Sequence, residues 1–299
     1  MNSADSHLVS GVDSATETRR GSLLIIGGHE DRERDKAVLE RFVELSGGMD
    51  GKIVVVTAAS TVGEELWKQY DQAFSDLGVK GHVVLHVDSR SACNTDEVEK
   101  RISGADGIFI TGGDQKRLLA ITGGTRFDAA MHKALQRGAC VAGTSAGASA
   151  MSVHMLASGK TELAPAKGAI GLGAGYGFLD RVVIDQHFSE RQRLARLLTV
   201  VAQNPYLIGV GIDENTALQV DFSGAIEVIG AGTVTIVDGR AVISNVADIP
   251  NHHCPEMIDV RLHLLPSGSR YRTARPPADA GDAAPEAIAE FIRIITKIA

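Results

Sequence analysis

The stretch SLLIIGGHED, residues 22–31, begins the pattern that decides the fold: an aliphatic run ends in two glycines and a group of polar residues. The same pattern recurs in KIVVVTAAS (residues 52–60) and DGIFITGG (residues 106–113), and amphipathic stretches separate the runs. Continuous apolar strands that alternate with helices are typical of a parallel sheet covered on both faces. The sequence therefore predicts an α/β protein with a doubly wound, mainly parallel sheet. Ligands of such sheets bind beyond the carboxyl ends of the strands.

The second half of the chain has a different pattern. RVVIDQH (residues 181–187) reads as one more strand, and SERQRLARLLTVVAQ (residues 189–203) as the helix that follows it. Beyond Pro205, short strands separated by Gly, Asn and Asp predict antiparallel hairpins that close the edge of the sheet.

This organisation predicts one catalytic domain over residues 22–273. We expect a flexible leader before it, residues 1–21, and a linker rich in Pro, Ala and Asp after it, residues 274–285. Residues 286–299 have the apolar periodicity of a terminal helix that packs on the domain or on a partner chain.

Composition narrows the class of partner. The 299 residues carry a formal net charge of −7, so the chain lacks the overall positive charge that attracts nucleic acid or an anionic membrane. No run approaches 18 uninterrupted apolar residues, and the polar amino-terminal segment has no apolar core typical of a signal peptide. We therefore expect a cytoplasmic protein that binds neither nucleic acid nor membrane.

The cysteines and the glycine-rich turns predict no metal and no cofactor. Cys93, Cys140 and Cys254 are far apart and odd in number, which favours reduced thiols over a disulfide framework. His252 and His253 precede Cys254, but no fourth ligand lies at a spacing suitable for zinc. Neither a G-x-G-x-x-G motif nor a P-loop is present in the turns after the strands.

The stretch GTSAG, residues 143–147, matches the nucleophile-elbow pattern G-x-S-x-G. It has the context that the pattern requires, because a short strand precedes it and a run of small residues typical of a helix start follows. A sharp turn of this kind would expose the hydroxyl of Ser145 at the helix amino terminus. The amide of Ala146 would then point at a developing oxyanion. The alternative is a tight turn without chemistry.

A serine nucleophile needs a base, and the base needs an acid that orients it. Among the ten histidines, His187 is the one that ends a predicted strand among polar residues, which would place it at the same carboxyl edge as Ser145. Glu214 or Asp213, at the end of the next strand, or Asp185, two residues before the histidine, are the candidate acids. The residues alone leave the choice among the three open.

Three arginines follow His187. In a helix, Arg193 and Arg196 share a face and Arg191 reaches a different side. One interpretation is an ordinary solvated helix face. The other is a site where an arginine binds a substrate carboxylate and Asp185 binds a cationic group of the substrate.

Four motifs together resemble the cyanophycinase family of serine peptidases, which also contains the aspartyl dipeptidase called dipeptidase E. They are TGGDQ (residues 111–115), GTSAGASAM (residues 143–151), DQHFSERQRLAR (residues 185–196) and GIDENTAL (residues 211–218). The resemblance covers about residues 23–237, with the motifs in order and at compatible spacing.

The resemblance implies a flavodoxin-like fold related to class I glutamine amidotransferases, with serine at the elbow. It implies Ser145 as nucleophile, His187 as base and Glu214 as acid, with the amides of Gly113 and Ala146 as oxyanion donors. It also implies a homodimer and a set of side chains that bind substrate: Gln115, Asp185, Gln186, Arg191, Arg193 and Arg196.

The implied substrate is cyanophycin, a polyaspartate chain that carries arginines through isopeptide bonds. The product would be β-Asp-Arg dipeptides, released through an acyl-enzyme. Three alternatives remain: an aspartyl dipeptidase, an α/β esterase that uses His252, His253 or His263 as its base, and a binding module without catalysis. The last would use the turns GGHED and TGGDQ to bind anions.

Overall fold

A computed structural model describes residues 20–159, 163–273 and 284–297. The predicted leader, apart from residues 20 and 21, and the predicted linker, apart from residues 284 and 285, lie outside the described residues. Among the described helices, none is long and apolar enough to cross a membrane.

The first half of the chain alternates between strands and helices, as its sequence pattern predicts. Its strands are β1 (Ser22–Ile26), β2 (Lys52–Val56), β3 (Gly81–Leu85), β4 (Gly107–Ile110) and β5 (Cys140–Thr144). Its helices are α1 (Ala37–Leu45), α2 (Gly63–Asp76), α3 (Asp96–Ser103), α4 (Gln115–Thr122), α5 (Arg126–Arg137) and the short α6 (Ala146–Ser149).

Side chains of the central strands alternate between two apolar layers, because successive residues of a strand point to opposite faces of the sheet. Leu24 and Ile26 of β1 pack with α1 and α2, where Phe42 and Phe74 are fully buried. Leu23 and Ile25 belong to a larger layer that includes residues of α3, α4 and α5, such as Phe127. The sheet is thus covered by helices on both faces, as expected.

The second half supplies mostly short strands. They are β6 (His154–Gly159), β7 (Ile170–Ala174), β8 (Val182–Gln186), β9 (Ile208–Ile212), β10 (Thr216–Asp221), β11 (Ala225–Gly230), β12 (Thr233–Asp238), β13 (Ile243–Ser244), β14 (Met257–Ile258), β15 (Arg261–Pro266) and β16 (Arg270–Arg272). The helices among its described residues are α7 (Leu194–Gln203) and α8 (Glu286–Ile295).

The main sheet has eight strands in the order β16-β11-β10-β1-β5-β4-β2-β3. The pairs from β1 through β5, β4 and β2 to β3 are parallel, whereas β10, β11 and β16 extend the β1 side by antiparallel pairing. The predicted α/β fold with a mainly parallel sheet and an antiparallel extension is therefore confirmed.

A second sheet of four strands, in the order β15-β12-β9-β8, stands beside the main one. The stretch RVVIDQH forms β8 as predicted, but β8 pairs in parallel with β9 of this second sheet. His187 and Ser145 therefore follow strands of two different sheets, and the expectation of one shared carboxyl edge is wrong. Hydrophobic pattern gives the strand but not its partner, because any buried parallel neighbour satisfies the same pattern.

The helix predicted over residues 189–203 is shorter than expected and begins at Leu194. His187 and Gln192 both have positive φ angles, of 46° and 52°, and the amide of Phe188 bonds the carbonyl of Ile212 in β9. These contacts hold residues 187–193 in turns. Arg191 and Arg193 consequently precede the helix, and their directions are set by the turns and not by helical spacing.

Helix α8 packs on the main domain. Phe291, Ile292 and Ile295 are buried in the larger apolar layer, and Arg240 binds Glu290 with a Nη1 to Oε1 distance of 2.6 Å.

Candidate active site

Ser145 occupies a strained turn between β5 and α6. Its φ of 53° and ψ of −110° lie outside the regions that a side chain ordinarily allows. Strain of this kind persists only where the surroundings fix it. Here the amide of Ser145 bonds the carbonyl of Ile26 at the end of β1, at 3.0 Å. The turn is the strand-to-helix elbow that the motif predicts.

Both glycines of the motif are required because other backbone atoms lie too close to them for a side chain to fit. A Cβ on Gly143 would lie 2.6 Å from the backbone of Gly147, and one on Gly147 would lie 2.5 Å from the carbonyl oxygen of Ile110 in β4. Both distances are shorter than any carbon side chain tolerates. G-x-S-x-G is thus the sequence that lets α6 start directly against β4 and β5.

Three of the predicted residues form one hydrogen-bonded chain. The Oγ of Ser145 lies 2.9 Å from Nε2 of His187, and Nδ1 of His187 lies 2.6 Å from Oε1 of Glu214. His187 is 3% exposed, so water cannot replace either partner. If Glu214 is ionised, Nδ1 carries the imidazole proton and Nε2 is free to accept the serine proton. The arrangement is that of a nucleophile, a base and an orienting acid.

Backbone hydrogen bonds at the end of β1 hold this chain together across the two sheets. The carbonyl of Gly27 accepts from the amide of His187 at 2.8 Å, and the carbonyl of Gly28 accepts from the amide of Asn215, also at 2.8 Å. The first glycines of the turn GGHED therefore fix His187 and the residue next to Glu214. This contact between sheets is what brings the ends of β5, β8 and β9 together.

The two other candidate acids are engaged elsewhere. Asp213 accepts from the amide of Ser189 at 3.1 Å and from the amide and hydroxyl of Thr233 at 3.0 and 2.6 Å. Burial favours the neutral form of Asp213, but these hydrogen bonds outweigh it and lower its pKa. Its carboxylate holds the turn after β8 against the second sheet.

Asp185 forms a buried cluster with two of the predicted arginines. Its carboxylate accepts from Nη1 of Arg193 at 3.2 Å and from Nε of Arg196 at 2.9 Å, with a further contact to Nη2 of Arg196. Asp185 is 1% exposed. Burial lowers the pKa of Arg193 to about 10, against the attraction of Asp185, and Arg193 therefore stays charged at neutral pH.

The cluster predicts a large effect on stability. In Asp185→Asn two guanidinium groups lose their counter-ion in a buried site, and breaking such a pair costs about 3–5 kcal/mol. We expect a loss of this size in urea unfolding. Asp50→Asn, which removes an exposed ion pair with Lys80, should change stability by less than about 1 kcal/mol. Equal stability of the two variants would contradict the structural role of Asp185.

Arg191 has a different environment from its neighbours. It lines a cavity of about 300 Å³ that opens onto Ser145 and His187. Its side chain enters no ion pair with the described part of the chain. The other lining residues are His29, Glu30, Arg32, Ser60, Leu66, Tyr70, Gly112, Gly113 and Thr144. This cavity is where a substrate carbonyl can approach the serine.

The remaining predicted residues differ in their position relative to this cavity. Gly113 is in its wall, and Ala146 begins α6, where the first amides of a helix have no intrahelical acceptor. Oε1 of Gln186 lies 3.5 Å from the Oγ of Ser145. Gln115 instead donates to the carbonyl of Leu156 at 3.0 Å, which ties α4 to β6.

Sequence reasoning missed two residues of the site. Glu30 is 3% exposed and accepts from the hydroxyl of Tyr70 and, at 2.5 Å, from that of Thr144, next to the serine. The Nδ1 of His29 lies 3.3 Å from Oε2 of Glu214. Both belong to GGHED, whose sequence pattern indicates a turn at a strand end but no role for its side chains in catalysis.

Together with His187 and Glu214, His29 forms a cluster of residue types that commonly bind a metal ion. One ligand atom each of His29, His187 and Glu214 lies within 4.8 Å of the others. Two of these residues, however, already form the hydrogen-bonded chain with Ser145. A metal ion on them would take the lone pairs that proton transfer requires, so the arrangement fits general base chemistry better than metal binding.

The environment of His187 predicts the acid limb of the pH profile. Burial lowers its pKa below the ordinary 6.5, although the hydrogen bond with Glu214 acts in the opposite direction. A base must be neutral, so we expect kcat/KM to fall with decreasing pH at a midpoint below 6.5. In Glu214→Gln a contact that raises this pKa is lost, and the midpoint should move further down. A wild-type midpoint above 7 would contradict the assignment.

Comparisons with known proteins agree with this geometry. The sequence pattern of peptidase family S51 matches residues 23–228. A cyanophycinase of Synechococcus elongatus is 37% identical over 254 residues, which cover 84% of this chain and 79% of that protein. A cyanophycinase of Geminocystis herdmanii is 36% identical over 263 residues, which cover 87% of this chain and 97% of that protein. The resemblance drawn from the motifs is thereby confirmed.

Solved structures share the fold. The crystal structure of a peptidase from an acI-B1 actinobacterium superposes with a TM-score of 0.64 and 22% identity, and the match covers 85% of this chain and 98% of that one. A putative peptidase E from Listeria monocytogenes gives a TM-score of 0.50 at 19% identity over 71% of this chain and 98% of that one. At these identities the likeness extends to the architecture alone.

Proposed function

The chain belongs to peptidase family S51, and from this premise we propose that it is a cyanophycinase, a serine exopeptidase that releases β-Asp-Arg dipeptides from cyanophycin. The observation that carries the proposal is the chain of hydrogen bonds from Ser145 through His187 to Glu214, in a protein 37% identical to a cyanophycinase. We include in the proposal the cytoplasmic location that the composition leads us to expect and the homodimer that the family resemblance implies.

In the first half of the reaction, the Oγ of Ser145 attacks the carbonyl carbon of a backbone amide between two aspartates. Its proton passes to Nε2 of His187, and Glu214 stabilises the resulting imidazolium. The amides of Gly113 and Ala146 are the proposed donors to the oxyanion. When the C–N bond breaks, the proton on His187 goes to the leaving amine, and an acyl-enzyme remains.

In the second half, water attacks the acyl carbonyl. His187 takes a proton from the water, a tetrahedral intermediate forms at the same oxyanion site, and the proton returns to the Oγ of Ser145 as the ester bond breaks. The product carboxylate leaves with one oxygen from water, and the enzyme is restored. The reaction uses only groups of this chain and water.

The arginines are the proposed basis of substrate choice. Each repeat of cyanophycin offers a carboxylate and a guanidinium, and Arg191 lines the cavity of the serine with no described ion-pair partner. We assign Arg191 to a substrate carboxylate. Arg193 and Arg196 both pair with Asp185. Contact of these three residues with substrate stays a prediction, which their pairing does not support.

This assignment predicts that Arg191→Gln lowers kcat/KM on cyanophycin about tenfold to a hundredfold, because a charge-assisted hydrogen bond contributes about 1.5–3 kcal/mol. The melting temperature should not change, since the side chain is exposed. Arg101→Gln, an exposed arginine on α3, is the matched control. If Arg191→Gln keeps the wild-type kcat/KM, Arg191 is an ordinary solvated surface residue, and the case for cyanophycin as substrate is weaker.

The decisive experiment for the function is release of β-Asp-Arg from insoluble cyanophycin by the purified protein, with a chelator present. We expect release, measured by mass spectrometry. Good turnover of simple esters without release would favour an esterase. Cleavage of aspartyl dipeptides by a protein that leaves cyanophycin uncleaved would favour a dipeptidase. Absence of labelling of Ser145 by a fluorophosphonate would favour a binding module.

A further inference from the structure

The cavity of the serine adjoins a larger one. A cavity of about 610 Å³ shares His29, Glu30 and Arg32 with it and extends away from Ser145. One wall is the turn of residues 29–33, and the other is the face of α2 that presents Lys68, Gln69 and Gln72. Volumes of about 300–1,000 Å³ are typical of pockets that enclose small organic ligands.

The turn that forms the first wall is held firmly. The carboxylate of Asp31 accepts from the amides of residues 33–36 at 2.9–3.3 Å, and its own amide bonds Oδ1 of Asn215 at 2.9 Å. Asn215 is next to Glu214. The wall is therefore fixed to the catalytic residues, and the side chains of Arg32 and Glu33 project from a defined backbone.

Each wall carries at least one charged side chain that forms no ion pair with the described residues. Within the described part of the chain, no ion pair engages Arg32, Glu33 or Lys68. The guanidinium of Arg32 lies over the ring of Tyr70, 5.1 Å from its centroid. Tyr70 donates to Glu30, and Glu30 accepts from Thr144 beside the serine. Positive and negative groups thus line one cavity, which adjoins the cavity of Ser145.

We propose that this cavity is a second subsite, which binds the repeat unit next to the one held at Ser145. The inference rests on the proposed function. A repeat unit of the substrate carries one carboxylate and one guanidinium, and the cavity offers Arg32 and Lys68 to the first and Glu33 to the second. Binding of the adjacent unit here favours substrates that carry a complete second unit over those in which another leaving group takes its place.

The test compares substrates of different length. One is the tetrapeptide of two β-Asp-Arg units, and the other is a chromogenic anilide of a single unit, which brings no carboxylate and no guanidinium to the second subsite. We expect Lys68→Gln to lower kcat/KM about tenfold on the two-unit substrate, mainly through KM. Activity on the anilide and the rate of fluorophosphonate labelling of Ser145 should stay within twofold of wild type.

Lys80→Gln is the matched control, since Lys80 is exposed and lies at the amino end of β3, whereas Ser145 lies at the carboxyl end of β5. Glu33→Gln is a second test variant on the other wall, with the same expected selectivity for the longer substrate. Lys68 and Glu33 are better choices than Arg32, whose loss would also disturb Tyr70 and Glu30 near the serine.

The outcomes separate the subsite from the function. The second subsite is wrong if Lys68→Gln and Glu33→Gln have the same kcat/KM as Lys80→Gln on the two-unit substrate. It is also wrong if they lower kcat/KM on the anilide by the same factor as on the two-unit substrate. In either case the proposed function stands. If wild-type protein reacts with the fluorophosphonate but cleaves neither β-Asp-Arg substrate, the proposed function fails, and the subsite for such a substrate fails with it.

Discussion

Ser145→Ala and His187→Ala should each lower kcat by about 10⁶-fold, the size of loss seen when a serine peptidase loses its nucleophile or base. The reason is that the two residues act as a unit: without His187 Nε2 at 2.9 Å, the serine proton has no acceptor, and without the hydroxyl no acyl-enzyme forms. The double variant should therefore be no slower than either single one.

The measurement is kcat for dipeptide release, with folding checked by thermal melting. Ser60→Ala is the matched control for the serine, because Ser60 lines the same cavity but is not bonded to His187. It should keep activity within a few fold of wild type. Ser145→Ala protein that folds normally and retains more than about 1% of wild-type kcat would remove Ser145 from the nucleophile role.

Glu214→Gln should lower kcat by about 10⁴-fold, less than the loss of the nucleophile or base. An amide at this position can donate to Nδ1 of His187 and so favours the imidazole tautomer whose Nε2 carries the proton, the wrong one for a base. The charge that stabilises the imidazolium is lost as well. The Nδ1 to Oε1 distance of 2.6 Å makes the pair sensitive to this change.

Two carboxylate variants serve as comparisons for Glu214→Gln. Asp213→Asn and Asp185→Asn should act through stability, because both side chains bind structural partners and neither touches His187. The assignment of the acid is refuted if Asp185→Asn, folded and at normal KM, abolishes turnover while Glu214→Gln is nearly harmless. Measuring kcat well below each variant's melting temperature keeps the two effects apart.

The sequence by itself determined the local elements of this protein. Alternating aliphatic runs and amphipathic stretches predict β1 to β5 and their helices, since each pattern reflects which faces must be buried. The glycines at 143 and 147 predict the elbow of Ser145, because only small residues fit where α6 starts against β4 and β5. The four ordered motifs predict the family, and the comparisons confirm it.

Only the tertiary structure decided which side chains meet. The choice of Glu214 over Asp213 and Asp185 depends on the contact of β8 and β9 with the glycines after β1, and a strand's hydrophobic pattern does not specify that neighbour. The separation of Arg191 from Arg193 and Arg196 depends on turns at positive φ where the sequence pattern predicts a helix. A residue's partner is fixed by contacts distant along the chain, whereas patterns report only local burial.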